Sequence, residues 1–191
     1  MRYKPEQKEQ TRKKIVTAAN RNFKKNGYCG IGVDGLAKEA GVTSGAFYGH
    51  FTSKNEVFKE AIISGLEELQ STIAELKQLH GNNWWDEFAE LYTSQKRTCD
   101  LTDSCSLQSL TPEIGRSNED IREIFESELL KIIDLASNEK NKDKTWSTLA
   151  MLIGGVTLAR AVKDKELSNE IATAIKNEVV VMHKGNAESG C

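Results

Sequence analysis

The stretch Val33 to Lys54, VDGLAKEAGVTSGAFYGHFTSK, constrains this chain more than any other. It reads as two short helices joined by a tight glycine turn. Leu36, Ala37 and Ala40 give the first helix an apolar face. Gly41 falls where a helix end needs positive φ, and Val42 plugs the corner. Thr43 or Ser44 supplies a capping hydroxyl for the second helix, which ends near Phe51. Phe47 and Phe51, four residues apart, share its inward face. Ser44, Gly45, Ala46 and Gly49 are left outward, all of them small. A helix without outward bulk can enter the DNA major groove, as the recognition helix of a helix-turn-helix must. An ordinary helical hairpin is the bland alternative. Tyr48 and His50 flanking the small face, with Lys54 at the next helix start, favour DNA.

The charge distribution points the same way. Residues 1–60 carry 12 Lys+Arg against 6 Asp+Glu, whereas the remainder carries 14 against 22. A basic N-terminal piece on an acidic body suggests that one region meets a polyanion. Only two prolines, Pro5 and Pro112, interrupt 191 residues, which leaves room for long helices.

From about Lys13 to Phe58 the chain resembles the DNA-binding domain of the tetracycline-repressor (TetR) family. The resemblance rests on Ile15, Ala18, Ala19, Phe23, Gly27 and Tyr28, on Val33, Leu36, Ala37, Ala40, Gly41 and Val42, and on Phe47, Tyr48, His50, Phe51, Lys54 and Phe58. Gly32 and Gly35 depart from the commoner polar residues at the start of the second helix. The resemblance implies that Tyr48, His50 and Lys54 grip phosphates with Thr43 assisting. It implies that Ser44, Gly45 and Ala46 face base edges. None of these three is Arg, Asn or Gln, so bidentate base readout is absent from the centre of the recognition helix. Hydroxyl and methyl contacts and DNA shape are expected to supply specificity. Tyr48 as a packed core residue and His50 as a structural histidine are the alternatives. Arg12, with Lys8 and Lys13, lies near the start of the first helix, where a phosphate backbone could approach; a solvated basic face is equally consistent.

Periodicity extends the all-α reading to about nine helices. Helix 1 is expected over Gln7–Asn26. Ser53 to Glu56 reads as a capping box opening a fourth helix that ends near Leu79, with Gly81 closing it. Further helices are expected over Trp84–Lys96, over Leu107–Gly115 with a break or kink near Pro112, and from a Ser117–Asp120 cap to Ala136. The last two run over Lys144–Val162 and onward from Ser168. The organisation is an N-terminal three-helix helix-turn-helix domain (1–53), a C-terminal helical ligand-binding and dimerisation domain (54–184), and a flexible tail (185–191).

Helix 8 is apolar around most of its circumference, and Gly154 and Gly155 permit close approach of another backbone. A second copy of the chain is the simplest cover, with plain intrachain burial as the rival. The resemblance implies the same, since TetR-like regulators pair through their last two helices. The body also resembles one subgroup's ligand domain through Cys105, Leu110, Pro112, Glu113, Ile114, Arg116 and Leu158 to Ala161. Candidate effector-pocket walls are Trp84, Trp85, Phe88, Tyr92, Phe125, Trp146 and Met151, each also readable as core.

The expected partners are near-palindromic double-stranded DNA, a second identical chain and a small-molecule effector. No membrane partner, metal, cofactor or catalytic residue is expected: there is no Gly-rich phosphate loop, HExxH or GxSxG, and His50, His80 and His183 are scattered. The polar N-terminus and the unpatterned cysteines (Cys29, Cys99, Cys105, Cys191) suggest a cytoplasmic protein. The function expected is a ligand-responsive repressor. Its alternatives are a transcriptional activator and a thiol-responsive regulator using Cys105, although Asp100 and Asp103 nearby disfavour a thiolate and a packed small residue is the simpler reading.

Overall fold

The computed structural model describes residues 5–138 and 141–184. Among the described residues there are nine α-helices and no strand. They are α1 (Pro5–Asn26), α2 (Val33–Glu39), α3 (Ser44–Tyr48), α4 (Lys54–His80) and α5 (Trp84–Leu91), then α6 (Ser106–Ile114), α7 (Glu119–Ala136), α8 (Lys142–Ala161) and α9 (Lys165–Lys184). No described helix is long and apolar enough to cross a membrane. The tail expected at 185–191 lies outside the described residues, as does part of the connector between α7 and α8.

The chain forms two compact units. One comprises the residues up to Glu67 with Leu101–Glu128; the other comprises Glu68–Asp100 and the residues from Leu129 onward. The unit that contains the helix-turn-helix is therefore larger than the 1–53 segment read from the sequence, since residues 101–128 join it. The divisions fall inside α4 and inside α7.

The first unit is built on α1. Ile15, Ala19 and Phe23 form its buried stripe, alongside Leu36, Phe47, Phe51, Phe58 and Ile62. A polar network lies within this core. Asn20 Nδ2 donates to the Ala61 carbonyl at 2.7 Å and to Ser106 Oγ at 3.2 Å, where Gly65 leaves room for both side chains. Lys24 Nζ donates to the Ser104 carbonyl at 3.0 Å, and Arg21 pairs with Asp103 at 2.6 Å. These bonds tie the 3₁₀ turn Leu101–Asp103 and its continuation to α1.

In the second unit α5 passes into a π-helical turn, Tyr92–Lys96, rather than continuing as the uniform helix expected over Trp84–Lys96. Two arginines secure its end. Arg160 Nη1 donates to the Lys96 and Arg97 carbonyls at 2.6 and 2.9 Å, and its Nη2 to the Cys99 carbonyl at 3.0 Å. Arg97 in turn donates to Thr93 O, Ser168 Oγ and Asn169 Oδ1. These bonds satisfy carbonyls that a helix end otherwise leaves without partners.

Several helix starts differ from expectation. α9 opens at Lys165, capped by Asp164, whose carboxylate accepts the Leu167 N–H at 2.7 Å. Ser168 is instead buried and donates to the Ala159 carbonyl. α7 is capped by Asn118, whose side-chain oxygen accepts the Ile121 N–H, and not by Ser117, which donates back to Glu113 O. At α4 the cap is divided: Ser53 Oγ accepts the Glu56 N–H, while the Glu56 carboxylate accepts from Thr52 N–H and hydroxyl. α6 runs through Pro112 without ending there.

The two neighbouring glycines of α8 face different ways. A Cβ at Gly155 would overlap Ile175 Cδ1 and lie 2.8 Å from its Cγ1, so the absence of a side chain is what lets α8 and α9 pack. A Cβ at Gly154 would meet nothing. Gly154 lies on an exposed stripe with Trp146, Ala150 and Leu158, each four residues apart.

Candidate nucleic-acid interface

The turn between α2 and α3 closes by two backbone bonds. The Gly41 N–H donates to Lys38 O at 3.0 Å and the Val42 N–H to Ala37 O at 2.9 Å, with Gly41 at φ +68°. That double closure is the Schellman ending, and its left-handed residue is the one glycine tolerates best. Thr43 then caps α3: its Oγ1 accepts the Ala46 N–H at 3.1 Å. Sequence left the cap open between Thr43 and Ser44; the structure assigns it to Thr43.

Phe47 and Phe51 are fully buried, with ring centroids 5.7 Å apart. They anchor a helix of five residues that would be marginal alone. Anchoring fixes which side faces out: Thr43, Gly45, Ala46 and Gly49 are exposed, and Tyr48 is 56% exposed. Tyr48 is therefore not the core residue that was its alternative reading. A cleft of about 420 Å³ lies beside this face, lined by Lys8 and Thr11 of α1 with Gly41, Val42, Thr43, Ala46, Gly49 and His50.

The charged residues are placed differently from one another. Lys54 Nζ stands 4.2 Å from the Tyr28 ring centroid, a cation–π contact that leaves its charge intact. His50 is half-buried, and its imidazole is held below the ordinary value by burial, then by the nearby Lys8 and Arg12 charges. Arg12 is engaged within the fold. Its Nη1 donates to the His50 carbonyl at 2.9 Å, its Nη2 pairs with Glu60 at 3.0 Å, and its guanidinium lies 4.2 Å over the Phe51 ring. These contacts hold the end of the recognition segment against α1. Arg12, read from the sequence as a residue that a phosphate backbone could approach or as part of a solvated basic face, is thus also a tether for the end of this segment, with 30% of its side chain still exposed.

Ser44 also has an internal partner. Its hydroxyl donates to Asp34 Oδ1 at 2.6 Å. Asp34 and Thr11 were not among the residues read from sequence as the interface, whereas Lys8 was read as one that a phosphate backbone could approach. Nothing local signals the Asp34–Ser44 bond, because its partners are ten residues apart on separate helices. Lys8 carries a weak signal, being one turn before Arg12 on α1.

The candidate effector residues do not all come together. Trp84, Trp85, Phe88 and Tyr92 are buried in the second unit as a continuous aromatic chain, with successive centroids 4.1, 5.8 and 5.5 Å apart. His183 stacks on Trp85 at 4.5 Å. Met151 is half-buried, Trp146 is exposed, and the half-buried Phe125 belongs to the first unit. Cys105 is buried immediately before α6. No group of three or more His, Cys, Asp or Glu among the described residues is placed to hold a metal.

Residues 15–61 match the family model for bacterial regulatory proteins, tetR family. Those residues are similar to the DNA-binding domain of that family. The match covers the TetR-type α1 stripe, the turn and the recognition helix described above. The HTH-type transcriptional regulator TtgR of Pseudomonas putida is 38% identical over 69 residues, which are 36% of this chain and 32% of that protein. This chain thus aligns with about a third of that regulator's length. The HTH-type transcriptional regulator LmrA of Bacillus subtilis aligns over far more, 86% of this chain and 94% of its own, at 24% identity. Among solved structures, a TetR-family transcriptional regulator from Cytophaga hutchinsonii superposes with a TM-score of 0.74 over 95% of this chain and 99% of its own, at 18% identity. At that identity the likeness concerns the fold alone.

Proposed function

We propose that this chain is a sequence-specific DNA-binding transcriptional regulator that acts as a homodimer and represses transcription in a ligand-responsive way. The observation that carries the reading is the recognition segment Thr43–His50. Its bulky side chains, Phe47 and Phe51, are buried behind it, and its small residues are exposed beside a lysine-bordered cleft. Phosphate contacts fall to Tyr48, Lys54, Lys8 and the neutral His50, with the Thr43 hydroxyl assisting. Ser44, Gly45 and Ala46 face the base edges. Arg12 positions the end of the segment.

Residues 1–53 form the reading head, and 54–184 carry dimerisation and the effector response. The exposed apolar residues Trp146 and Leu158 of α8 with Leu167 and Val181 of α9 support a second copy as the cover. The effector site lies around the buried chain of Trp84, Trp85, Phe88 and Tyr92. A ligand there represses or releases only by preferring one of two states of the protein. Burial of Cys105 disfavours the thiol-responsive alternative, since a sensor thiol needs access.

Selection from a random duplex library followed by footprinting tests the reading. A two-fold footprint is expected, with half-sites roughly 34–36 Å apart or a multiple of that. The double variant Tyr48→Ala, Lys54→Ala should weaken binding to every sequence. It should also flatten the salt dependence by about one unit of slope for each phosphate that is no longer neutralised. A footprint without two-fold pattern, or a double variant with unchanged affinity, would refute it.

A further inference from the structure

Ser44 is half-buried at the start of α3, and its hydroxyl proton is committed. It is donated to Asp34 Oδ1 at 2.6 Å, within the range of a charge-assisted O–H to carboxylate bond. A serine hydroxyl has one proton and two lone pairs. With the proton directed at Asp34, Ser44 presents lone pairs alone to whatever lies in front of it. Asp34 is exposed, and as a carboxylate it too only accepts. The adjoining Gly45 and Ala46 add no polar side chain. Thr43 has the opposite polarity: its Oγ1 accepts the Ala46 N–H, so its own proton stays available to donate.

Resting on the DNA-reading assignment above, we propose that Asp34 is a specificity-positioning residue: by binding the Ser44 proton it fixes Ser44 as an acceptor, so that the pair selects an exocyclic amino group, cytosine N4 or adenine N6, and rejects guanine and thymine at that position. An unpartnered serine would not discriminate, because its hydroxyl rotates to donate or accept as required. The major-groove edges differ in this respect. Cytosine and adenine offer amino donors, while guanine O6 and N7 and thymine O4 are acceptors. Facing Ser44 and Asp34, those acceptors place oxygen against oxygen or nitrogen with no proton between. The Asp34 charge also repels phosphate, so it lowers affinity for DNA of any sequence while sharpening the choice among sequences.

The test is selection from a random duplex library with the full-length wild type, Asp34→Ala, Asp34→Asn and Ser44→Ala, each then measured on its selected site and on random DNA. The wild type is expected to select cytosine or adenine at one position of each half-site. Asp34→Ala should lose about tenfold of that preference and bind random DNA at least as tightly as before. Asp34→Asn adds an amide donor and should admit guanine or thymine at the same position. A purely structural role for Asp34 would lower the melting temperature of the variants without moving the base preference. That result overturns the proposal, as does a wild-type preference for guanine or thymine at the position that responds to Asp34. A wild type that binds no duplex overturns the DNA-reading assignment and this proposal with it. Sequence-specific binding with unchanged preference in Asp34→Ala and Ser44→Ala overturns the proposal alone.

Discussion

Gly65→Ala is a small change that the packing of the first unit makes costly. Gly65 lies in the middle of α4, where alanine is intrinsically the better helix former by about 1 kcal/mol. Sequence alone would therefore rank the substitution as stabilising. In the structure the added Cβ would lie inside contact distance of Ser106 Oγ, 2.5 Å from Ser106 Cβ and 2.6 Å from Asn20 Nδ2. Both neighbours are buried, and they are bonded to one another. Overpacking of this kind costs about 1–3 kcal/mol. Driving Asn20 off the Ala61 carbonyl or off Ser106 leaves a buried amide without a partner, another 1–3 kcal/mol or so. Against the gain of about 1 kcal/mol, the net is a destabilisation of roughly 3 kcal/mol.

The assay can localise the loss. All three tryptophans, Trp84, Trp85 and Trp146, lie in the second unit, whereas far-ultraviolet circular dichroism follows helices in both. Urea denaturation of Gly65→Ala should move the circular dichroism transition to lower denaturant. If the units melt separately, the tryptophan transition should stay in place. The double variant Gly65→Ala, Ser106→Gly removes both Ser106 atoms that the new methyl meets and should recover at least half of the loss. A Gly65→Ala protein as stable as wild type, or a double variant no better than the single, would refute the packing argument.

Three further outcomes follow from the second unit. His183 is buried, with Nε2 2.8 Å from Thr148 Oγ1; Thr148 donates its own proton to the Lys144 carbonyl, so Nε2 is the donor and Nδ1 has no partner among the described residues. Burial, then the Lys144 charge, lowers its pKa from 6.5 to about 4. The unfolded chain thus binds a proton that the folded one refuses. Stability from this group is complete above pH 6.5 and is lost as pH falls toward 4, by roughly 3 kcal/mol in all; His183→Phe should flatten that part of a stability-versus-pH curve. Arg160→Lys should destabilise the tryptophan-reported transition nearly as much as Arg160→Ala, about 2–4 kcal/mol, because a single ammonium cannot serve the three carbonyls that the planar fork reaches. Leu158→Glu, on the exposed stripe of α8, should leave the monomer's melting unchanged and abolish dimers in analytical ultracentrifugation; a dimer of unaltered affinity places the second copy elsewhere.

What the sequence revealed and what it hid divide by range. The turn at Gly41, the Thr43 cap and the Phe47–Phe51 anchor are bonds within a few residues, so residue type and spacing disclose them. The tether that Arg12 forms is hidden for the opposite reason. A basic residue near a helix start resembles a phosphate contact, but its partners His50 and Glu60 are 38 and 48 positions away. The Asn20–Ser106 bond spans 86 positions. Ser168 resembles a cap by type, yet Asp164, four residues earlier, does the capping because Ser168 is drawn inward to Ala159 and Arg97. The paired glycines of α8 are equivalent by type, and only the fold separates Gly155, closed by Ile175, from Gly154, open to a partner.

These placements bear on why a regulator of this design would need two chains. Around the recognition segment the structure places Lys54 over Tyr28 and Lys8 at the cleft, while Arg12 is paired with Glu60 and bonded to the His50 carbonyl. Each phosphate neutralised contributes to affinity through counterion release, so one head, reaching only the phosphates of its own half-site, binds more weakly than two. Linking two such heads makes the second binding event intramolecular, and the effective concentration raises affinity by orders of magnitude without any new interaction with DNA. A weak head also makes release sensitive: any change that stops both heads from engaging together removes the gain from linkage. On this reasoning the exposed stripe Trp146, Ala150, Gly154 and Leu158 should prove as necessary to operator binding as Thr43–His50, and the full-length Leu158→Glu variant should show its base preference only at low salt.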